Sequence, residues 1–173
     1  MTPRPEIPRA LRREVLVEAG HRCAIPTCRH PTTEIAHIEP WAKVKEHAFD
    51  NLIALCPTCH SRYDKGEIDR PSMRQYKENL AVLTSRYGEY ERRIFELAAE
   101  GLAATGAPAL GFILPFGSSI LLRNALRDNL IEAVEPSPGA EVSVSGVPLI
   151  GYYSPTERGA EFVRRWASAR ELE

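Results

Sequence analysis

The 173-residue sequence lacks several features that would assign it to a class directly. It has no apolar run approaching the roughly 20 residues that cross a bilayer, which argues against an integral membrane protein. Its formal net charge is −1, so overall charge favours no particular partner. The first 13 residues contain four arginines and no apolar segment, so no secretory signal peptide is evident and we expect a cytoplasmic protein.

Cysteine is also scarce, and the four cysteines that are present form two closely spaced pairs. Four residues separate Cys23 from Cys28, and two separate Cys56 from Cys59. Each pair can close a short turn whose sulfurs face one point, and two such turns supply the four thiolates that zinc prefers in structural sites. The alternative, two disulfides, suits a secreted chain better than a cytoplasmic one. The spacing therefore favours one structural Zn²⁺ bound by all four cysteines.

Three polar residues stand at fixed places around these pairs. His37 ends a strand-like segment at residues 33–38, and Asn51 begins another at residues 51–55. His60 directly follows the second cysteine pair, in a predicted helix with Pro57 in its first turn. The ordered motifs AHI, NL and LCPTCH resemble those of the HNH family of ββα-metal endonucleases, and the resemblance extends over about residues 12–80.

The resemblance implies a role for each of these residues. His37 would be the general base that activates water, and Asn51 would brace the loop that orients it. His60 would bind a divalent metal that holds the charge on the phosphate and the leaving oxygen. Histidine and carboxylate ligands do not determine which of Mg²⁺, Mn²⁺, Ni²⁺ and Zn²⁺ binds, and of these we expect Mg²⁺ or Mn²⁺. The implied substrate is DNA, cut to leave a 5′-phosphate and a 3′-hydroxyl.

The residue before the base departs from the commonest family pattern, in which Asp or His stands there. Here it is Ala36, which cannot bind a metal. Asp64 lies four residues after His60, so the two share one face of the predicted helix. Glu34 lies two residues before Ala36 on the same strand face and is the alternative ligand. We favour Asp64, because a pair on one helix face needs no special loop geometry.

Positive charge is concentrated in the first part of the chain. Residues 1–95 carry a net charge of +3 and residues 96–173 a net charge of −4. We predict that His47, in the loop between the two strands, is solvated surface. Several lysines and arginines are candidates to contact DNA phosphates, although a solvated helix face explains them equally well. These candidates are Lys43, Lys45, Arg62, Lys65, Arg70, Arg74 and Lys77.

The later half of the sequence differs from the first in its charge and in its pattern of apolar residues. Apolar periodicity predicts helices at residues 69–87, 90–103, 118–130 and 155–167, with strands at 131–135 and 141–153. The helix, hairpin and helix order and the phrase YYSPTERGAEFV resemble a winged-helix domain. Phosphate contacts need clustered positive charge, which this half lacks. Its high apolar content favours pairing of two chains or docking of a partner protein instead.

The sequence thus predicts an α+β protein, in which a zinc-stapled ββα-metal nuclease domain precedes helices and a small winged-helix-like domain. The expected divisions are 1–88 for the nuclease, 89–105 for a connecting helix and linker, and 106–173 for the last domain. The predicted function is metal-dependent endonuclease activity on DNA, in bacterial restriction or anti-phage defence. The alternatives are an inactive zinc-dependent module that binds nucleic acid, and a protein-interaction adaptor.

Overall fold

The structure is a computed structural model that describes residues 5–108 and 111–172. The described chain forms two compact units. The first contains the described residues up to 84 together with residues 166–172, and the second those between 85 and 165. This division differs from the predicted one, because the helix expected as a connection belongs to the second unit. Helices and separate antiparallel sheets occur together, so the predicted α+β class is confirmed.

The first unit has the predicted order of strand, loop, strand and helix. Strands β1 (Glu34–His37) and β2 (Leu52–Leu55) pair antiparallel, with Glu34 opposite Leu55 and His37 opposite Leu52. The loop between them contains one helical turn, α2 (Trp41–Val44), and a 3-10 turn, Phe49–Asn51. The helices around this hairpin are α1 (Arg9–Glu18), α3 (Pro57–Asp64) and α4 (Arg70–Arg86).

The second strand lies at the centre of the core of this unit. All four of its side chains are fully buried, and both α1 and α3 contact it. A strand that is covered on both faces needs apolar residues at successive positions, which explains the unbroken run Leu52, Ile53, Ala54 and Leu55. The polar residues at the ends of the two strands are therefore held by a rigid apolar base.

The second unit begins with a long helix, and strands and shorter helices follow it. The elements are α5 (Glu89–Thr105), β3 (Phe112–Pro115), a 3-10 turn (Ser118–Leu122), α6 (Arg123–Arg127), β4 (Ile131–Val134), β5 (Ser143–Val144), β6 (Val147–Pro148), β7 (Ile150–Pro155) and α7 (Glu157–Ala167). Three of the strands form an antiparallel sheet in the order β3, β7, β4. A separate two-stranded hairpin, β5 with β6, lies between β4 and β7 in the chain. No helix in the part of the chain that the structure describes is long and apolar enough to cross a membrane.

Two predicted elements of this unit are shorter than expected. The helix expected at residues 118–130 is a 3-10 turn followed by the five-residue α6. The strand expected at residues 141–153 is interrupted at Ser145 and Gly146, whose φ angles are 52° and 77°. Two successive positive φ angles make a type I′ turn, which reverses the chain into a hairpin. The winged-helix interpretation of this half stays a prediction.

A buried carboxylate explains why α5 belongs to the second unit. Glu91 is 1 % exposed and accepts hydrogen bonds from the backbone N–H groups of Gly88 and Ala125, each at 2.8 Å. The bond from Gly88 closes a capping box at the start of α5, and the bond from Ala125 joins this turn to α6. Phe95 of α5 also packs on Phe162 of α7, with ring centroids 5.3 Å apart.

Candidate functional site

The four cysteines converge on one point in the first unit. Their sulfur atoms all lie within 4.8 Å of one another, and none of the four is in a disulfide. In a tetrahedral site with Zn–S bonds of about 2.3 Å, the sulfur atoms are about 3.8 Å apart. The Sγ atoms of Cys28 and Cys56 are 3.7 Å apart. Within residues 5–108 and 111–172, no other group of three or more Cys, His, Asp or Glu side chains converges in this way.

Hydrogen bonds hold the first cysteine turn against its neighbours. The N–H of Ala24 donates to the carbonyl oxygen of Ala54 at 2.8 Å, which ties this turn to β2. The buried guanidinium of Arg29 donates to the carbonyl oxygens of Cys23 at 2.9 Å and Ala19 at 3.1 Å. The turn is therefore anchored to the end of α1 as well as to the hairpin, independently of any ion.

Burial favours the protonated form of two of these thiols. Burial raises the pKa of Cys23 to about 11, and it also raises the pKa of Cys59. Burial acts in the same direction on Cys56, but hydrogen bonds from the N–H of Cys59 and from neighbouring thiols outweigh it, so the pKa of Cys56 is lowered. Because a thiol that coordinates a dication loses its proton, zinc binding here would be coupled to proton release.

His37 is the last residue of β1 and is 9 % exposed. The backbone after it is fixed on both sides. The N–H of Ile38 donates to the carbonyl oxygen of Asn51 at 2.9 Å, and the hydroxyl of Tyr63 donates to the carbonyl oxygen of Ile38. The side chain of Asn51 accepts from the N–H of Glu39 at 2.6 Å and donates to its carbonyl oxygen at 3.0 Å. These two bonds fix the backbone of Glu39, two residues after His37.

Two further rings surround His37. The Nδ1 atom of His47 is 3.1 Å from Nε2 of His37. The ring centroid of Trp41 is 4.5 Å from that of His47 and 5.8 Å from that of His37. The prediction that His47 is solvated surface is therefore wrong, because its half-buried ring packs in this cluster. No local sequence pattern signals the contact, since the path of the loop produces it.

His60 lies on α3 between two carboxylates. Its Nδ1 is 2.8 Å from Oε1 of Glu34, and its Nε2 is 3.9 Å from Oδ2 of Asp64. An ionised carboxylate only accepts hydrogen bonds, so Nδ1 carries the proton and the lone pair of a neutral His60 lies on Nε2. The nitrogen that is able to bind a metal therefore faces Asp64, while Glu34 orients the ring from the other side.

Six of the seven lysines and arginines predicted to contact phosphate are exposed. Lys43 and Arg70 both pair with Glu39, at 3.0 and 3.4 Å, and Arg62 pairs with Glu67 at 3.1 Å. The hydrogen bond from Lys43 lowers the pKa of Glu39, which keeps this carboxylate charged. These pairs reduce the positive charge of the surface without removing it. The other exposed members are Lys45, Lys65 and Arg74.

Lys77 is not on this surface, so the prediction that it contacts DNA is wrong. It is 6 % exposed, its Nζ atom donates to a carboxylate oxygen of Glu18, and it lies 3.6 Å from the ring centroid of Phe49. Burial raises the pKa of Glu18, and the hydrogen bond from Lys77 opposes that shift. Helical spacing could have predicted that Lys77 is buried, because Lys77 lies four residues after the buried Met73 and three before the buried Leu80.

Comparison with known proteins agrees with this geometry. Residues 21–66 match the HNH endonuclease family model. This HNH segment contains the four cysteines together with His37, Asn51 and His60, and it indicates nuclease activity in general, with nucleic acid as the partner. No curated protein and no solved structure matches the chain.

We expect one zinc ion per chain at the cysteine cluster. Replacing one ligand, as in Cys56→Ser, should remove the ion and unfold much of the first unit, because structural zinc sites contribute folding free energy. Elemental analysis and thermal unfolding of the purified chain measure both effects. Thr58→Ser, an exposed change within the same turn, is the control. Protein without zinc, or a Cys56→Ser variant as stable as its parent, would contradict the assignment.

The ion pair of Lys77 and the exposed Arg74 should respond differently to mutation. Lys77→Ala should lower the free energy of unfolding by about 3–5 kcal/mol, because it leaves Glu18 buried and unpaired. Arg74→Ala should change it by less than about 0.5 kcal/mol but weaken DNA binding and reduce its salt dependence. Denaturant unfolding and DNA titrations at several salt concentrations test both.

If Lys77→Ala is too unstable to study, the double variant Glu18→Leu with Lys77→Met removes both charges and should recover stability. DNA affinity of this double variant should equal that of the parent. A Lys77 variant that has normal stability but weaker DNA binding would contradict this interpretation and show that Lys77 contacts DNA.

Proposed function

We propose that the protein is a metal-dependent endonuclease that hydrolyses phosphodiester bonds of DNA. The observation that supports it best is a single ββα unit with a braced histidine at the end of β1 and a second histidine on the adjoining helix. The second histidine lies between a carboxylate of β1, Glu34, and one of its own helix, Asp64. The cysteine cluster connects the chain before β1 to the chain after β2. A role in bacterial restriction or anti-phage defence, as in small HNH nucleases that the sequence resembles, is part of this proposal.

His37 is the general base in this proposal. A neutral imidazole accepts a proton from water near neutral pH, and it must be held in one orientation to do so. The fixed backbone at Ile38 and Glu39 supplies that orientation through Asn51. Asn51 therefore acts on the reaction indirectly, by holding the base in place.

The catalytic cation would be held by Nε2 of His60 and a carboxylate oxygen of Asp64. Glu34 keeps the proton on Nδ1 and thereby keeps the lone pair on the binding nitrogen. Such an ion, with Mg²⁺ or Mn²⁺ favoured, supplies charge neutralisation at the scissile phosphate and the leaving oxygen. Ala36 contributes no ligand, so water and phosphate oxygens would complete the coordination, as is usual for Mg²⁺.

DNA would lie along the exposed cations of the first unit. Their charges act on the phosphate backbone rather than on base edges, so we propose cleavage with little sequence preference. Arg62 and Lys65 lie at the end of the helix that carries His60, and Arg70 and Arg74 follow in α4. Lys43 and Lys45 lie in and beside α2, in the loop that follows His37.

The second unit would serve interactions between proteins. It exposes many large apolar side chains on its hairpin and on the segment before α6, a composition typical of contact surfaces. Pairing of two chains would suit cleavage of both DNA strands, since one HNH unit cuts one strand. The exposed apolar residues include Ile113, Phe116, Ile120, Leu121, Val142, Val144, Val147 and Leu149.

A second function is favoured by one observation, the alanine at position 36. If a single histidine and carboxylate bind the cation too weakly, the unit would be a zinc-dependent module that binds nucleic acid without cutting it. Both functions predict DNA binding, so a binding assay does not distinguish them. A cleavage assay does, because only the nuclease cuts DNA.

His37→Ala should lower the rate of plasmid nicking by about 10²–10⁴-fold, the usual contribution of a general base. Fold, zinc content and DNA affinity should not change, because the base acts mainly in the transition state. Nicking of supercoiled plasmid under single-turnover conditions measures the rate. His30→Ala, at an exposed histidine of the same unit, is the control. Activity within a few-fold of the parent would show that another group activates the water.

The two carboxylates near His60 should differ in their effect on cation affinity. Asp64→Asn and His60→Ala should each abolish measurable Mn²⁺ binding, because each removes a ligand. Glu34→Gln should weaken it by about 10–100-fold, the usual effect of losing an orienting partner. Titration of the zinc-loaded chain with Mn²⁺ gives these affinities without reference to cleavage. Loss of binding in Glu34→Gln with an unaffected Asp64→Asn would make Glu34 the ligand.

A further inference from the structure

We propose that an arginine face on α1 binds the phosphate backbone of DNA. This arginine face consists of Arg9, Arg12 and Arg13, three exposed residues of the first helix. The inference rests on the proposed nuclease function, because it assigns a further part of the protein to the DNA substrate. It adds a second contact surface to the exposed cations of α2, α3 and α4.

Helical spacing brings the three arginines onto one side of α1. Residues three and four positions apart in a helix are neighbours, with Cβ atoms about 5–6 Å apart, so Arg12 and Arg13 both lie next to Arg9. Another side of the helix is anchored in the core, since Val15 is fully buried and α1 contacts β2 and the 3-10 turn before it. The arginine face is therefore presented to solvent by a helix that the core holds in place.

Helix stability does not explain these arginines. The positive end of the helix dipole is at the N-terminus, so cations in the first turns of a helix are unfavourable and carboxylates are favoured there. The first turn of α1 contains no acidic residue, and no side chain caps it. Repulsion between neighbouring cations adds to this cost. Because the arginines oppose the stability of their own helix, a role in binding an anion accounts for them better.

Two carboxylates lie near the arginine face, and neither pairs with it. Glu6 lines the same surface hollow as Arg9 and Arg12, and Glu14 is on α1 itself. In the part of the chain that the structure describes, no ion pair joins either carboxylate to an arginine of this face. Cations of α2, α3 and α4, by contrast, form ion pairs. A phosphate would therefore meet the arginine face without first displacing a carboxylate.

A hydrogen bond places the segment before α1 next to the proposed base. The carbonyl oxygen of Pro5 accepts a hydrogen bond from Nε2 of His47 at 3.0 Å. Nδ1 of the same ring is 3.1 Å from Nε2 of His37. Pro5 also lines the hollow that Arg9 and Arg12 line. One imidazole ring thus contacts both His37 and the border of the arginine face, so DNA with its scissile phosphate at His37 would pass close to these arginines.

Removing the charge of the arginine face should weaken DNA binding without weakening the fold. The triple variant Arg9→Gln, Arg12→Gln and Arg13→Gln tests this, because glutamine has nearly the helix propensity of arginine. Each phosphate contact contributes about 0.9 to the slope of log affinity against log salt concentration, so the slope should fall in magnitude by about 2–3. Affinity near 0.15 M salt should fall by about 100-fold. The free energy of unfolding should not decrease.

Two further variants are controls. Lysine at the same three positions keeps the charge and should keep the slope and most of the affinity, because lysine also binds phosphate as a point charge. Arg158→Gln, at an exposed arginine of the second unit, should change neither the slope nor the affinity. Titrations of fluorescent duplex DNA with the zinc-loaded full chain, without added Mg²⁺ or Mn²⁺, measure both at several salt concentrations.

DNA binding decides this inference separately from cleavage. A parent that binds duplex DNA but does not nick it with Mg²⁺ or Mn²⁺ would contradict the nuclease proposal, while the variants still decide the role of the arginine face. Equal slopes for the parent and the glutamine variant would overturn the inference. Equal loss of affinity in the lysine and glutamine variants, a destabilised glutamine variant, or a parent that does not bind duplex DNA would also overturn it.

Discussion

The convergence of four cysteine sulfurs is the constraint on which the rest of the first unit depends. One pair comes from the chain before β1 and the other from the chain after β2, so the cluster joins the two ends of the hairpin that carries His37 and Asn51. Cys56 also caps α3, the helix that carries His60. A short hairpin is marginally stable alone, and this cluster with the buried β2 explains how it holds functional side chains rigidly.

A carboxylate determines which nitrogen of His60 faces a second ligand. Glu34 accepts a hydrogen bond from Nδ1 of His60, so the lone pair of a neutral His60 lies on Nε2, which faces Asp64. The ring of His37 is held differently, because Asn51 fixes the backbone that follows it and the ring of His47 lies against it. The proposed division between metal ligand and general base rests on these contacts.

Much of this arrangement was predictable from the sequence. Cysteine spacing predicted the cluster, because short-range geometry dominates it, and the family resemblance carried by His37, Asn51 and His60 implied the ββα order. The contact between His47 and His37 was missed, because it depends on the path of a loop in which Lys45 has a positive φ angle. Lys77 was misassigned because charge was given more weight than its spacing from Met73 and Leu80. Glu91 joins segments far apart in the chain, which no local pattern reports.

The central claim is that this scaffold hydrolyses DNA with a metal and a histidine base. The most direct test incubates covalently closed plasmid with the zinc-loaded full chain, with and without added Mg²⁺ or Mn²⁺, and identifies the termini at each nick. The account predicts nicked circles only with the added cation, bearing 5′-phosphate and 3′-hydroxyl ends. Intact plasmid in the presence of chain that binds both DNA and Mn²⁺ would contradict it.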